Sequence, residues 1–220
     1  MKNKQYAVIG LGRFGSSLAK ELVRLDFEVL GIDIDEEVVQ EMQDKLTHTV
    51  VADCTEEEVL RSLGIRNFDC VIVAIGDDIQ SSIMTALILK DLGVKQVVAK
   101  ALNELHGKVL ERIGVDRVIY PERDMGIRVA HQLVSPNLLD YIELSKDYTV
   151  AELSVSKRIS GRTLRDLDPR RKHGCSVVAI NKHSGVIIAP MAEDRVDVGD
   201  VMVVIGTNEQ IDSFEEEVNR

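Results

Sequence analysis

Residues 6–33, YAVIGLGRFGSSLAKELVRLDFEVLGID, constrain the fold more than any other stretch of the chain. The apolar run Ala7-Val8-Ile9 leads directly into Gly10, Gly12 and Gly15 at the spacing G-x-G-x-x-G. A helix-patterned segment follows, with Leu18, Leu22 and Leu25 on one side, and then a second apolar run that ends in Asp33. Strand, glycine turn, helix and acid-tipped strand in that order predict a βαβ unit that holds a nucleotide. Gly10 permits the tight turn, Gly12 lets backbone approach a phosphate, and Gly15 lets the helix pack closely on the strand. The phosphate is expected on the N–H groups that open the helix. Asp33, about 20 residues past the glycines, is placed to accept from both hydroxyls of an adenosine ribose and to repel a 2′-phosphate.

The same alternation continues downstream. A helix is expected over 35–45, with Val38, Val39 and Met42 apolar, and a β-branched strand over 47–52. Asp53 then stands at a strand C-terminal end, where open α/β sheets put ligands. Thr55-Glu56-Glu57-Glu58 reads as a capping box for the next helix. Residues 69–75 are almost continuously apolar, the signature of a strand buried on both faces. Gly76-Asp77-Asp78 turns into a helix reaching Leu92, 96–99 is a strand, and Asn103 caps a helix carrying Leu105, Val109, Leu110 and Ile113. With 117–120 as a sixth strand, the fold class is α/β: a Rossmann-like, doubly wound parallel sheet.

Residues 122–134 form one more helical pattern, with Met125, Val129 and Leu133 at four-residue spacing, before Ser135-Pro136-Asn137 breaks it. The expected domains are 1–134, the nucleotide-binding domain, and 135–220, a small α+β domain. In the latter, strands are expected over 148–155, 176–180, 186–189 and 201–205, with turns at His183-Ser184-Gly185 and Gly199-Asp200. A helix over 162–167 and a terminal one from Glu209, with Ile211, Phe214 and Val218 at core spacing, complete it.

Composition narrows the function classes. No Trp and 4% aromatic residues leave the core to aliphatic side chains, as suits a parallel sheet. A formal charge of −10 argues against wholesale binding to nucleic acid or to an anionic membrane. Cys54, Cys70 and Cys175 are odd in number and widely spaced, so they read as reduced thiols rather than a disulfide framework or zinc site. No apolar run approaches the roughly 18 residues a membrane helix needs, and the expectation is a soluble, untargeted chain. A dehydrogenase would place an acid or base opposite the cofactor, but no Tyr-x-x-x-Lys pair, nucleophile elbow or histidine cluster is present. Regulation by binding is expected, with no catalytic residue and no enzyme activity; the alternative is a small NAD-dependent oxidoreductase or an NAD-sensing module.

Three further features each carry two readings. Arg13, within Gly12-Arg13-Phe14-Gly15, is either a solvated cation or a contact to a terminal phosphate, its own or a neighbouring copy's. Glu122 either caps the helix that follows or, paired with its copy across a two-fold axis, meets a divalent cation beside the phosphates. Lys157, Arg158, Arg162, Arg165, Arg170, Arg171 and Lys172 are either a solvated face or a site for an anionic small molecule.

These motifs together resemble the RCK (also called KTN) domains that regulate potassium channels and transporters. The resemblance covers the whole chain through GLGRFG at Gly10 to Gly15, the Asp33 strand end, IGDD from Ile75, KALN from Lys100 and YPERDMG from Tyr120. Within that family it is similar to the cytosolic gating subunits of bacterial Ktr potassium transporters. The resemblance implies a homo-octameric ring, peripheral on the inner face of the cell membrane, beneath a membrane-embedded potassium-translocating Ktr subunit of the KtrB/KtrD type. It implies control by exchange of ATP for ADP, with Mg²⁺ or Ca²⁺ acting alongside ATP. Ribose would lie on Asp33 with Ile34 and Asp35 beside it, adenine near Asp53 and Cys54, and Ile75, Gly76 and Asp77 on the phosphate side. Lys100, Ala101, Leu102 and His106 would complete the pocket, Arg13 would reach a neighbour's γ-phosphate, and Glu122 would serve the cation. The resemblance also implies a cyclic di-AMP site between two C-terminal domains, at Arg170, Ser176, Val177 and Pro190.

Overall fold

Alternation along three strands divides their side chains between two cores. In β1 (Gln5–Ile9), Ala7 and Ile9 enter one core and Val8 the other; in β2 (Glu28–Asp33), Leu30 and Ile32 oppose Val29. β3 (His48–Val51) flanks β2, and in β4 (Cys70–Val73) Val71 and Val73 oppose Cys70 and Ile72, so that all four residues are buried. Strands apolar on both sides must be covered on both faces, which is the condition of a parallel sheet between helix layers. With β5 (Val97–Lys100) and β6 (Arg117–Ile119), the sheet runs in the order β3-β2-β1-β4-β5-β6, every neighbouring pair parallel. This computed structural model describes residues 4–134, 138–145 and 147–219.

Between the strands run α1 (Arg13–Arg24), α2 (Glu36–Met42), α3 (Glu57–Ser62), α4 (Ile79–Asp91) and α5 (Glu104–Ile113), and α6 (Pro121–Val134) follows β6. The Rossmann-like sheet expected from the sequence is therefore the one observed. The strand order reverses between β1 and β4, and the crevice beyond their C-terminal ends is where such sheets bind ligands. The expected capping box at Thr55 does not form. α3 starts at Glu57 with no side-chain cap, because Thr55 gives both its N–H (2.9 Å) and its hydroxyl (2.7 Å) to Asp53 Oδ1, an ionised acceptor two residues away. Leu25, expected on the apolar side of α1, is 53% exposed, because it caps the helix beyond its last turn.

The chain separates into two compact units, Met1–Glu122 and Arg123–Arg220. In the second unit, β7 (Leu138–Glu143), β8 (Tyr148–Ser154), β9 (Ser176–Lys182), β10 (Gly185–Ile188) and β11 (Val201–Thr207) form an antiparallel sheet in the order β10-β9-β11-β8-β7. β8 buries Thr149, Ala151 and Leu153 on one side, and β11 buries Met202 and Val204, the single-faced alternation of a sheet covered once. α9 (Asn208–Asn219) adds Ile211, Phe214 and Val218 to the buried set. Two short helices precede β9: α7 (Leu164–Leu167), capped reciprocally by Thr163 and Asp166, and α8 (Pro169–His173). The expected break at Ser135-Pro136-Asn137 lies outside the described residues.

Candidate functional site

The glycine turn after β1 has no spare volume at two of its three glycines. Gly10 has φ +90°, and a Cβ there would stand 2.9 Å from the Ile75 amide nitrogen; a Cβ on Gly15 would stand 1.9 Å from the Gly10 carbonyl oxygen. Gly12 differs, since nothing lies within 4 Å of the place its Cβ would take. The turn is thus packed shut against itself and the segment just past β4, and open at Gly12. α1 begins at this open point with no side-chain cap and no acidic residue in its first turn. By contrast, Asp35, Asp78 and Asn103 cap α2, α4 and α5 by accepting from their first amides. The N–H groups of α1 are left for an anion.

Asp33 fixes this arrangement from β2. Its Oδ2 accepts from the Leu11 N–H at 2.6 Å and its Oδ1 from the Asp35 N–H at 3.0 Å, so one carboxylate ties the glycine turn to the start of the α2 loop. Each oxygen retains a lone pair for a ribose hydroxyl. A cavity of about 660 Å³ opens beside it, inside the range of small-molecule cofactor sites. Gly10, Gly12, Arg13 and Phe14 line it from the turn, Asp33, Ile34 and Asp35 from the end of β2, and Asp53 and Cys54 from the end of β3. Hydrogen bonds from Thr55 hold the Asp53 carboxyl below its usual range, and burial pushes the Cys54 thiol up to about 12, where it is no nucleophile.

Ile75, Gly76 and Asp77 line the cavity after β4, and Lys100 and Glu122 close it. The Lys100 side chain is 8% exposed, with Nζ 2.6 Å from Glu122 Oε1 and 5.9 Å from the Phe14 ring centroid. The Lys100 hydrogen bond, followed by the Lys100 and Arg13 charges, holds the Glu122 carboxyl below the ordinary glutamate range. Gly15 lies behind the turn, packed against Gly10, as expected of the helix-packing glycine.

Besides Gly15, three residues named for the pocket do not line the cavity: Ala101, Leu102 and His106. They belong to the turn into α5, where buried His106 accepts the Leu102 N–H at Nδ1 (3.3 Å) while its own N–H donates to Asn103 Oδ1. Burial lowers the His106 pKa, and its Nε2 has no hydrogen-bond partner. Conversely, Val38, Ala52, Thr55, Ser81 and Thr85 line the cavity although the sequence did not mark them as site residues. Each lies just past a strand's C-terminal end, in the loop that follows, or within the first two turns of the next helix, which is the signal that points to them.

In the second unit, Ser176 and Val177 open β9 and are half-buried, as is Pro190 just past β10. The Ala189 N–H donates to the Val178 carbonyl at 2.9 Å, which brings the Pro190 segment beside Val177. Arg170 is exposed on α8, whose end leads directly into β9. Of the basic stretch, Arg162 and Lys172 pair with Glu217, Arg165 with Glu193 and Arg171 with Asp168. Among the described residues, no ion pair engages Lys157, Arg158 or Arg170.

Comparison with known proteins matches this chain to the TrkA-N domain over residues 6–121 and to the TrkA-C domain over residues 149–219. Ktr system potassium uptake protein C of Bacillus subtilis (strain 168) is 49% identical over 215 residues, covering 98% of this chain and 97% of the relative. Among solved structures, the GsuK RCK domain aligns with a TM-score of 0.54 at 25% identity, covering all of this chain and 47% of that one. The GsuK channel bound to NAD aligns with a TM-score of 0.55 at 25% identity, covering all of this chain and 39% of the channel. The chain thus spans less than half of either GsuK chain.

Proposed function

The chain belongs to the RCK family of TrkA-N and TrkA-C domain proteins that includes the Ktr potassium uptake proteins, and we propose that it is a regulatory, non-enzymatic subunit of a potassium uptake system, switched by adenine nucleotide. The uncapped start of α1, set beside Asp33 in a cavity of about 660 Å³, carries the reading: one end suits a phosphate and the other a ribose. ATP and ADP compete for this cavity, Arg13 reads the terminal phosphate of a neighbouring copy's ATP, and the copies form a homo-octameric ring. No helix among the described residues is long and apolar enough to cross a membrane, and the ring works through a membrane-embedded partner of the KtrB/KtrD type.

A divalent cation, Mg²⁺ or Ca²⁺, joins ATP through Glu122. Such ions take six or more oxygens, and Glu122 offers one carboxylate, 67% exposed. The residue fits a cation as one of a two-fold pair, with phosphate oxygens completing the set; the ion would neutralise phosphate charge between the copies. Cyclic di-AMP binds between two C-terminal domains at Arg170, Ser176, Val177 and Pro190. The nearness of these last three residues supports that site, as does Arg170, which has no ion pair among the described residues.

NAD is a second reading, favoured by the NAD-bound GsuK channel. Calorimetric titration of the full chain with ATP, ADP and NAD separates the two. ATP and ADP are expected to bind more tightly than NAD, and Asp33→Ala to weaken all of them; equal affinity for NAD and ATP would overturn the assignment. Cyclic di-AMP is expected to bind at one molecule per two chains and more weakly to Arg170→Ala. One ligand per chain would reject that site.

A further inference from the structure

Lys100 ends β5 at the inner wall of the cavity, and its charge is almost wholly removed from water, with the side chain 8% exposed. Its Nζ lies 5.9 Å from the centre of the Phe14 ring, in the first turn of α1, and 3.3 Å from where a Cβ on Gly76 would stand. The ammonium therefore sits on the same side of the crevice as the uncapped amides of α1. Among the described residues its paired carboxylate is Glu122, whose own side chain is 67% exposed and which approaches to 2.6 Å.

A buried ammonium requires a compensating negative charge in whatever state the site adopts. Without nucleotide, Glu122 supplies it. A phosphate laid on the amides of α1 brings anionic oxygens to the same ammonium, and two anions crowded onto one cation repel each other. We propose that Glu122 is a built-in counter-ion that occupies Lys100 in place of nucleotide phosphate, and that nucleotide binds by exchange, the carboxylate leaving Lys100 as the phosphate arrives. The inference rests on the nucleotide reading above and adds a regulatory step to it: the Glu122 carboxylate becomes available to another partner only in the loaded site. Phosphate arrival at one wall is thereby converted into a free carboxylate at the mouth. The exchange needs no hinge, since the exposed Glu122 side chain has room to swing away.

The test is ATP affinity of the full chain in EDTA, so that no divalent cation takes part, measured by calorimetry for the unsubstituted protein, Glu122→Gln and Glu122→Asp. Gln cannot compete as an anion, and ATP is expected to bind about three- to tenfold more tightly. Asp keeps the charge but is one methylene too short to hold Lys100 at the same distance, so it is expected to tighten ATP nearly as much as Gln. Unchanged or weaker binding by Glu122→Gln overturns the exchange while leaving the nucleotide site in place. Asp behaving like the unsubstituted protein while Gln tightens overturns it as well, because general repulsion then suffices. An unsubstituted protein that fails to bind ATP overturns the nucleotide reading and this inference with it.

Discussion

Arg13 stands exposed in the first turn of α1 and forms no ion pair among the described residues, while its field, after that of Lys100, helps depress the Glu122 carboxyl. A guanidinium so placed has no structural task to lose. Arg13→Ala is therefore expected to leave thermal stability unchanged and to cost ATP about 1.5–3 kcal/mol of binding while sparing ADP. Calorimetry with both nucleotides checks this, and an equal loss for both would show that Arg13 does not read the extra phosphate. Asp33 and the three glycines were legible from spacing because each answers to a local backbone demand. Lys100 was not: nothing in its neighbourhood in sequence announces that Glu122, 22 residues on, meets its ammonium. The resemblance alone had pointed to it. His106, which the resemblance also named, turns its ring to the backbone of its own loop.

The glycines of the βα turn separate folding from binding at the level of the element. At Gly15 a methyl group would stand 1.9 Å from the Gly10 carbonyl oxygen, so α1 cannot stay where it is in Gly15→Ala. A loss of about 1–3 kcal/mol in stability is expected, read as a lower unfolding midpoint in urea. Gly12 has φ −59° and open space at its Cβ position, so Gly12→Ala is expected to unfold at the same midpoint yet to bind ATP more weakly, because the methyl group takes the place where phosphate approaches backbone. Unaltered ATP affinity in Gly12→Ala would put the phosphate elsewhere. β1, β2 and β4 were readable because each is apolar on both sides, and the six strands alternate with helix-patterned segments. α8 was not: Pro169-Arg170-Arg171-Lys172-His173 is five residues without apolar periodicity, started by proline at its first position. β7 escaped for a related reason, since Leu138-Leu139-Asp140-Tyr141-Ile142-Glu143 does not alternate cleanly. Asp53 pre-empted the cap predicted at Thr55, a competition between acceptors that no spacing rule resolves.

The molecule as a whole carries ten more acidic than basic residues, yet its last helix carries a carboxylate that meets two cations and a histidine. Glu217 on α9 meets His173 at 2.7 Å, Lys172 at 3.4 Å and Arg162 at 3.5 Å, and the His173 hydrogen bond, followed by the Lys172 charge, holds its carboxyl below the ordinary value. A carboxyl depressed by folding contributes stability that is complete above its unfolded value, near pH 4.3, and is lost as pH falls through the lower folded value. Glu217→Gln is therefore expected to cost about 1–2 kcal/mol at pH 7 and to flatten the acid limb of the stability profile. An acid limb identical to that of the unsubstituted chain would exclude Glu217 as its origin. In the first unit, α1 starts with no side-chain cap at the middle of the larger sheet, and a nucleotide phosphate bound there would supply the cap. Hydrogen–deuterium exchange should find the amides of Arg13, Phe14 and Gly15 slowed when ATP is added, and protease resistance should rise with ATP concentration, as it must for a ligand that binds only the folded form. The supply of nucleotide would then set not only the state of the chain but how long it lasts.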